Sequence, residues 1–456
     1  MSTAPRLRVL LLAQAAFMVG FSSVVPFIAV LADARFGLGP AAIGAIVGAR
    51  VAVQQGLFLV GGALADRFGP RALLLSGCAV RAAGFVLLAF APTPAVFVAA
   101  VLIIGVAGAL FSPAVDAYVG AVDTAVRSAP APVQTRPIAA PTPFAALALA
   151  GEAGGIVGAV VGAVMMPVHA VPVVVGASIV FAIALAVLAG LLPGRETPRG
   201  TPLPGARPAA TPPPSTPRAR PGRAVILSAT GAATVLAVYT QLFSLLPTEM
   251  AARDIDGGWV GGVSVVLSVT ILTLQWPLSR LVERLTRPRA VVVGVAAALL
   301  AALVGAGAAA TADPLSFAGA AVLATIATAV AIMLATPSAQ SLLAGAGSDA
   351  RRATRLGALA SGGGLLALGA STLSGAVAAG IGLPAAWLTA ALLPAAGLVF
   401  ACIGARTPAD SHPRKDHHDH PSPILEDRPH RSERPRSARP VGLLRRRLDG
   451  ARRGIR

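Results

Sequence analysis

The chain has 456 residues, 55% of them hydrophobic and only 12% charged, with a formal net charge of +18. Soluble domains carry about 25% charged residues, so this composition excludes a single water-soluble core. The positive excess lies between apolar runs and in the tail, and only 4% of residues are aromatic, which excludes the basic, aromatic-studded surface of a nucleic-acid binder.

Residues 1–8 are too short and too polar for a separate targeting peptide. The run 9–32 is too long for a signal h-region, so it is read as a first membrane span. Apolar runs bounded by charge, Pro or Gly predict spans at 8–32, 41–65, 72–91, 95–121, 143–167 and 171–193. A second set follows at 224–247, 257–279, 289–310, 314–336, 355–379 and 384–404. Each approaches the ~20 apolar residues that cross a bilayer. The alternating polarity of a strand barrel is missing. The expected class is an all-α membrane protein with twelve transmembrane helices.

Arginines fall on alternate sides of these spans. Arg6 and Arg8 precede the first, and Arg67 and Arg71 follow the second. Arg127 and Arg136 follow the fourth, Arg284 and Arg287 the eighth, and Arg351 and Arg352 the tenth. The opposite loops hold only Arg35 and Arg253. By the positive-inside rule both termini are expected in the cytoplasm, with the chain in the plasma membrane. The expected organisation is a six-helix bundle at 1–194, a Pro/Arg-rich disordered linker at 195–223, a second six-helix bundle at 224–404 and a disordered basic tail at 405–456. In the tail, His417, His418 and His420 are read as solvated rather than metal-binding. Arg445, Arg446 and Arg447 are placed to touch anionic lipid. Cys78 and Cys402 lie inside apolar runs and are read as small packing residues, with no metal site and no disulfide.

The two sets of spans are faintly related. Ungapped alignment of the second and eighth spans puts Gly44 on Gly261, Asp66 on Glu283 and Arg67 on Arg284. The ends of the fourth and tenth spans bring Pro113 onto Pro337 and Asp116 onto Gln340. Two halves of equal orientation follow, related by an axis along the membrane normal.

After the second span the chain reads Gly62-Ala-Leu-Ala-Asp66-Arg67-Phe-Gly69-Pro-Arg71. This closely resembles the signature loop of the major facilitator superfamily, and it sits where that family places it. The copy carrying Glu283 and Arg284 strengthens the resemblance, which covers residues 8–404. The segments around Arg50 to Gln55 and Phe111 to Val119 look most like the drug-exporter branch. The resemblance implies a cytoplasmic gating loop in which Gly62 allows close helix approach and Gly69 a tight turn. Asp66 would face a helix N-terminus near Arg355. The antiporter branch also has a glycine run with a proline in the fifth span. Here Gly154, Gly158 and Gly162 match, but Ala159 and Ala163 replace the proline and last glycine, so antiport is a lean and ordinary close packing an alternative. That branch's arginine in the fourth span is missing too.

Ionisable groups inside spans are functional candidates, and Arg50, Arg81, Asp116 and Glu152 all fall in the first half. At 1.5 Å per residue, Arg81 and Glu152 each lie roughly 13 Å from the cytoplasmic ends of their helices, Asp116 roughly 8 Å and Arg50 roughly 22 Å. Arg81 is therefore level enough to pair with Glu152 or Asp116, and Arg50 with Tyr239. Glu152 or Asp116 is expected to carry a proton, the alternative being a structural ion pair. Arg50, Gln54, Gln55, Tyr239 and Gln241 are the candidates to face the solute.

The function expected is secondary transport of a small molecule, as proton-coupled export of amphipathic compounds by a monomer without cofactor. The only lysine is Lys415 and no phosphate-binding loop occurs, so energy must come from a gradient. Uptake of a sugar or amino acid is a second reading. A membrane lipid enzyme or a non-transporting sensor is a third; the scattered acids of the loops, such as Asp123 and Asp349, argue against the enzyme.

Overall fold

The computed structural model describes residues 3–127, 143–192, 221–346 and 352–407. Most of the linker and tail, including the histidine cluster and the terminal arginines, lies outside them. So do the side chains of Asp66, Asp116 and Glu283.

All regular structure among these residues is helical. The first span, Leu7–Phe36, is assembled from α1 (Thr3–Ser22), a short 3₁₀ turn (Val25–Phe27) and α2 (Ile28–Phe36). It ends at Gly37, whose φ of 60° is the left-handed conformation a helix terminus asks of glycine. The second span, Pro40–Ala65, combines α3 (Pro40–Gly56) and α4 (Phe58–Phe68). Then come α5 (Pro70–Ala89), α6 (Pro94–Arg127) and α7 (Pro143–Leu191). Proline opens each of these from α3 except α4, at the position where its missing N–H costs nothing. The seventh span, Arg223–Ala252, comprises α8 (Arg223–Ala233), α9 (Val235–Gln241) and α10 (Leu245–Ala252). The rest are α11 (Trp259–Arg284), α12 (Arg287–Ala310), α13 (Pro314–Gly345), α14 (Arg352–Gly380) and α15 (Leu383–Arg406).

Eleven continuous helical spans among the described residues are long and apolar enough to cross a membrane. One of them, α7, is two legs joined at a kink, where His169 has φ −137° and ψ 59° between Pro167 and Pro172. Its 49 residues are about 70 Å of helix, twice a bilayer core. Counting its legs separately gives the twelve crossings that the sequence predicts.

The outside of this assembly is apolar. Leu12, Val164, Leu315 and Leu392 are each more than 60% exposed. Side chains of this size gain about 1.5–3 kcal/mol when removed from water, so the surface fits a lipid surround. Inside, α1 packs on α7, and α5 on α6 and α7, with Phe17, Phe85 and Phe181 at the centre. In the second half α12 packs on α13 and α15, through alanines at 298, 302, 331 and 335.

Two seams join the halves, α3 against α14 and α7 against α11. Both close on glycine. A Cβ at Gly44 would overlap the Ser371 carbonyl, and one at Gly261 would lie 2.5 Å from the Ala163 Cβ and 2.6 Å from the Ala159 oxygen. These are the two glycines that the internal alignment superposes. The seams thus use one device at equivalent positions.

Candidate functional site

The α7 residues explain how its small-residue pattern is used. Gly154 and Gly158 lie against the backbones of Ala15 and Val19, and Gly162 against Phe27. The glycines therefore seat α7 on the first span. The intervening Ala159 and Ala163 face Gly261, and Gly258 approaches the Ala163 carbonyl, closing the second seam. The remaining side of α7 presents Glu152 to a cavity.

That cavity has a volume of about 940 Å³. Its walls come from both halves: Met18 and Phe21 of α1, Phe58 of α4, Glu152 of α7, Tyr239 of α9, Leu267 and Ser268 of α11, and Ala360 of α14. The wall reaches Gly62, Gln340 and Leu356, towards the loops that carry Arg67, Arg71 and Arg352. At the other end Phe243 and Pro26 line it, below the packed region of Gly44, Gly258 and Gly261. We call the first end the arginine face and the second the sealed face. Among the described residues Glu152 is the one carboxylate in the wall, and its carboxyl meets the Ser268 hydroxyl of the adjoining α11.

The sequence candidates divide. Glu152, Gln55 and Tyr239 line the cavity. Arg50 lies beside a smaller void of about 30 Å³ that shares Phe21, Pro26, Tyr239 and Phe243 with the main one. Arg50 is buried, and its Nη1 donates to Gln54 Oε1 at 3.1 Å. Gln54 thereby turns away from the cavity towards Gly108 of α6. Tyr239 is in electrostatic range of both Arg50 and Glu152, in line with its expected depth.

Gln241 does not face the cavity. It is fully buried, and every arm of its amide is used: Nε2 donates to Ala237 O and Ser371 Oγ, while Oε1 accepts from Ser244 and Ser374. It knits α9 to α14. A buried amide must find such partners, and three serine hydroxyls and one backbone carbonyl lie within reach. Arg81 forms no ion pair with Glu152, contrary to the level-matching expectation. Its guanidinium lies over Phe21 and Phe181 at 5.2 and 5.4 Å and donates to Ile104 O at 3.4 Å. Equal depth fixes height along the helices but not the direction in which each side chain turns.

In the loop after α4, Gly69 has φ +85°, a turn conformation that suits glycine. Gly62 does not mediate close approach: a Cβ there would meet nothing within 4 Å. Its neighbour Gly61 does, since a Cβ on it would overlap the Ala109 carbonyl of α6. Arg71 donates to the carbonyls of Ala189 and Leu192 at the end of α7, at 2.7 and 3.1 Å. Arg67 and Arg284 are exposed. Arg355, named opposite Asp66, donates from Nε to Leu343 O at 2.9 Å.

A sequence profile of the Major Facilitator Superfamily matches residues 10–344. The chain belongs to that superfamily. An uncharacterised MFS-type transporter of Mycobacterium tuberculosis is 44% identical over 115 residues, 25% of this chain and 27% of the relative. The multidrug resistance protein MdtH of Yersinia enterocolitica is 39% identical over 104 residues, 23% of this chain and 26% of that one. The match thus spans about a quarter of the length of these curated relatives. Among solved structures, a peptide transporter POT in complex with sulfate superposes with a TM-score of 0.68 at 16% identity, covering 88% of this chain and 93% of that one. The nucleoside transporter NupG gives 0.65 at 14% identity, covering 89% and 99%. These likenesses establish the major facilitator fold for the chain.

Proposed function

We propose that this superfamily member exports small amphipathic solutes across the plasma membrane by alternating access, in exchange for protons carried on Glu152 or Asp116. The observation that carries the reading is one carboxylate facing a largely apolar cavity between two sets of helices. An apolar wall suits an amphipathic solute, and a carboxylate that changes between wet and dry surroundings changes its proton affinity. The positive-inside rule makes the arginine face cytoplasmic, so solute enters from the cytoplasm in the conformation described. The bundles at 1–194 and 224–404 would rock about the two seams, with the linker 195–223 tethering them and Asp66 latching the cytoplasmic side. The resemblance of a quarter of the chain to a protein named for multidrug resistance supports export. The protein works as a monomer surrounded by lipid.

The test is a solute screen in inverted membrane vesicles containing the chain, with an imposed pH gradient. Export by proton exchange predicts that some amphipathic compounds accumulate inside the vesicles only while the gradient stands, and dissipate it as they enter. Accumulation indifferent to the gradient would replace exchange by uniport, and accumulation with the opposite gradient dependence would make the chain an importer.

A further inference from the structure

Two arginines sit inside the first half with no counter-ion among the described residues. Arg50 is 7% exposed and Arg81 6%. Among the described residues the ion pair is between Arg253 and Glu249, and it involves neither of them. Arg50 has one neutral amide oxygen, from Gln54, and the face of Phe21 at 5.8 Å. Arg81 has a long contact to Ile104 O and the faces of Phe21 and Phe181, and its buried Nε has no hydrogen-bond partner. Both guanidiniums thus flank one phenyl ring, and they repel each other.

No described acid of this half supplies the missing charge. Glu152 turns to Ser268 of α11. Asp116 lies farther along α6: Gly108 is the α6 residue against the Arg81 guanidinium, and Asp116 is two helical turns, roughly 12 Å, beyond it. Buried unpaired charge is costly and is retained where a partner arrives.

Arg50 borders the void of about 30 Å³ that shares four wall residues with the main cavity. A water-sized group needs about 10–15 Å³ by this measure, so the void accepts roughly two such groups. Two oxygens on one centre match that room, and a guanidinium binds them as a fork. Tyr239 stands at the shared wall, bordering both spaces.

We propose that Arg50, backed by the field of Arg81, is an anion-recognition subsite, and that the solute is an amphipathic organic anion whose carboxylate or sulfonate reaches Arg50 while its apolar body fills the main cavity. This names the solute class of the proposed transporter and rests on that reading for transport, though not for binding.

The test is equilibrium binding to the purified full chain in detergent with three probes of one size: 1-naphthoate, 1-naphthalenesulfonate and the neutral 1-naphthylmethanol. Wild type should bind both anions at least roughly tenfold more tightly than the alcohol, a clear margin on the affinity scale. Arg50→Gln should erase that preference and leave the alcohol within about threefold. Arg81→Gln should reduce the preference less, because Arg81 acts at a distance. If Arg50→Gln does not fold, Arg50→Lys, which keeps charge and loses the fork, must weaken the anions more than the alcohol. Equal affinity of wild type for anions and alcohol would overturn the proposal, as would a preference that survives loss of the Arg50 side chain. Anion binding without solute movement in vesicles would leave the subsite standing and remove the transport reading; gradient-driven transport of neutral compounds without anion preference would do the reverse.

Discussion

Arg35 and Arg253 make the same contact in the two halves of the chain. Arg35 lies in the last turn of α2, at the end of the first span, and donates to the carbonyls of Leu88 and Ala91 at the end of α5, at 2.8 and 3.0 Å. Arg253 follows the seventh span and donates to Ala308 and Ala309 at the end of α12, at 2.9 and 3.5 Å. The same spacing separates Arg35 from Arg253 and Ala91 from Ala309. Each arginine satisfies orphan carbonyls at the negative end of a helix. These are the two arginines that break the charge asymmetry of the loops, and their role is to tie the sealed face together.

The two ties should differ in weight. Arg35 is exposed, and a cation at a helix C-terminus there is worth about 0.3–1 kcal/mol. Arg253 also pairs with Glu249 at 3.3 Å, and Glu249 is fully buried with Trp387 Nε1 as its other partner. Removing one member of a buried pair costs about 3–5 kcal/mol. Thermal unfolding in detergent should therefore show a small loss for Arg35→Met and a severalfold larger one for Arg253→Met. Adding Glu249→Gln to Arg253→Met should restore much of the difference; no recovery would mean that the carboxylate is not the strained group.

Gln241 and Gln55 should separate in assay. Gln241→Leu removes four buried hydrogen bonds, each worth about 0.5–1.5 kcal/mol net, while Ser244 and Ser374 keep the carbonyls of Thr240 and Ser371 as acceptors. Stability should fall while solute affinity, once a solute is found, stays within about threefold. Gln55→Leu, on the cavity wall, should leave melting unchanged and alter affinity. A Gln241 variant with native stability and lost affinity would return that residue to the cavity.

Substitution of neighbouring or aligned glycines separates seams from open wall. Gly44→Ala forces the α3–α14 seam apart against the Ser371 carbonyl, an overpacking that costs about 1–3 kcal/mol. Gly62→Ala meets nothing, and gains up to about 1 kcal/mol of helix propensity. Melting temperature should fall for the first and hold or rise for the second.

Asp313 caps α13, accepting from the Ser316 N–H at 2.8 Å and the Ser316 hydroxyl at 2.6 Å. The Ser316 hydroxyl, then its N–H, holds the carboxyl below the ordinary aspartate range. A lowered folded-state pKa gives stability that is fully present above the unfolded value, about 3.9, and fades as pH falls through the folded one. The melting difference between wild type and Asp313→Ala should be constant from neutral pH down to about 5 and shrink below about 4.

The sequence made the spans and their relation legible because both depend on length, apolar content and spacing, which need no partner. The seams were half legible: the alignment of Gly44 with Gly261 was visible, whereas the carbonyls they approach were not. Arg35 and Arg253 could have been found by extending that alignment, since their loops correspond. The roles of Gly61 and Gly62 could not. Adjacent helical positions point about 100° apart, and nothing local says which of them faces α6. Gln241 likewise looked like a cavity group because its serine partners on α14 are more than a hundred positions away.

Proton-coupled exchange is measured most directly as luminal pH in proteoliposomes of purified protein when a transported solute is added, for wild type, Asp116→Asn and Glu152→Gln. Proton exchange on Glu152 predicts solute-driven proton movement in wild type and none in Glu152→Gln, with solute binding retained; if Asp116 is the carrier instead, the loss falls on Asp116→Asn. Undiminished proton movement in both variants would contradict it.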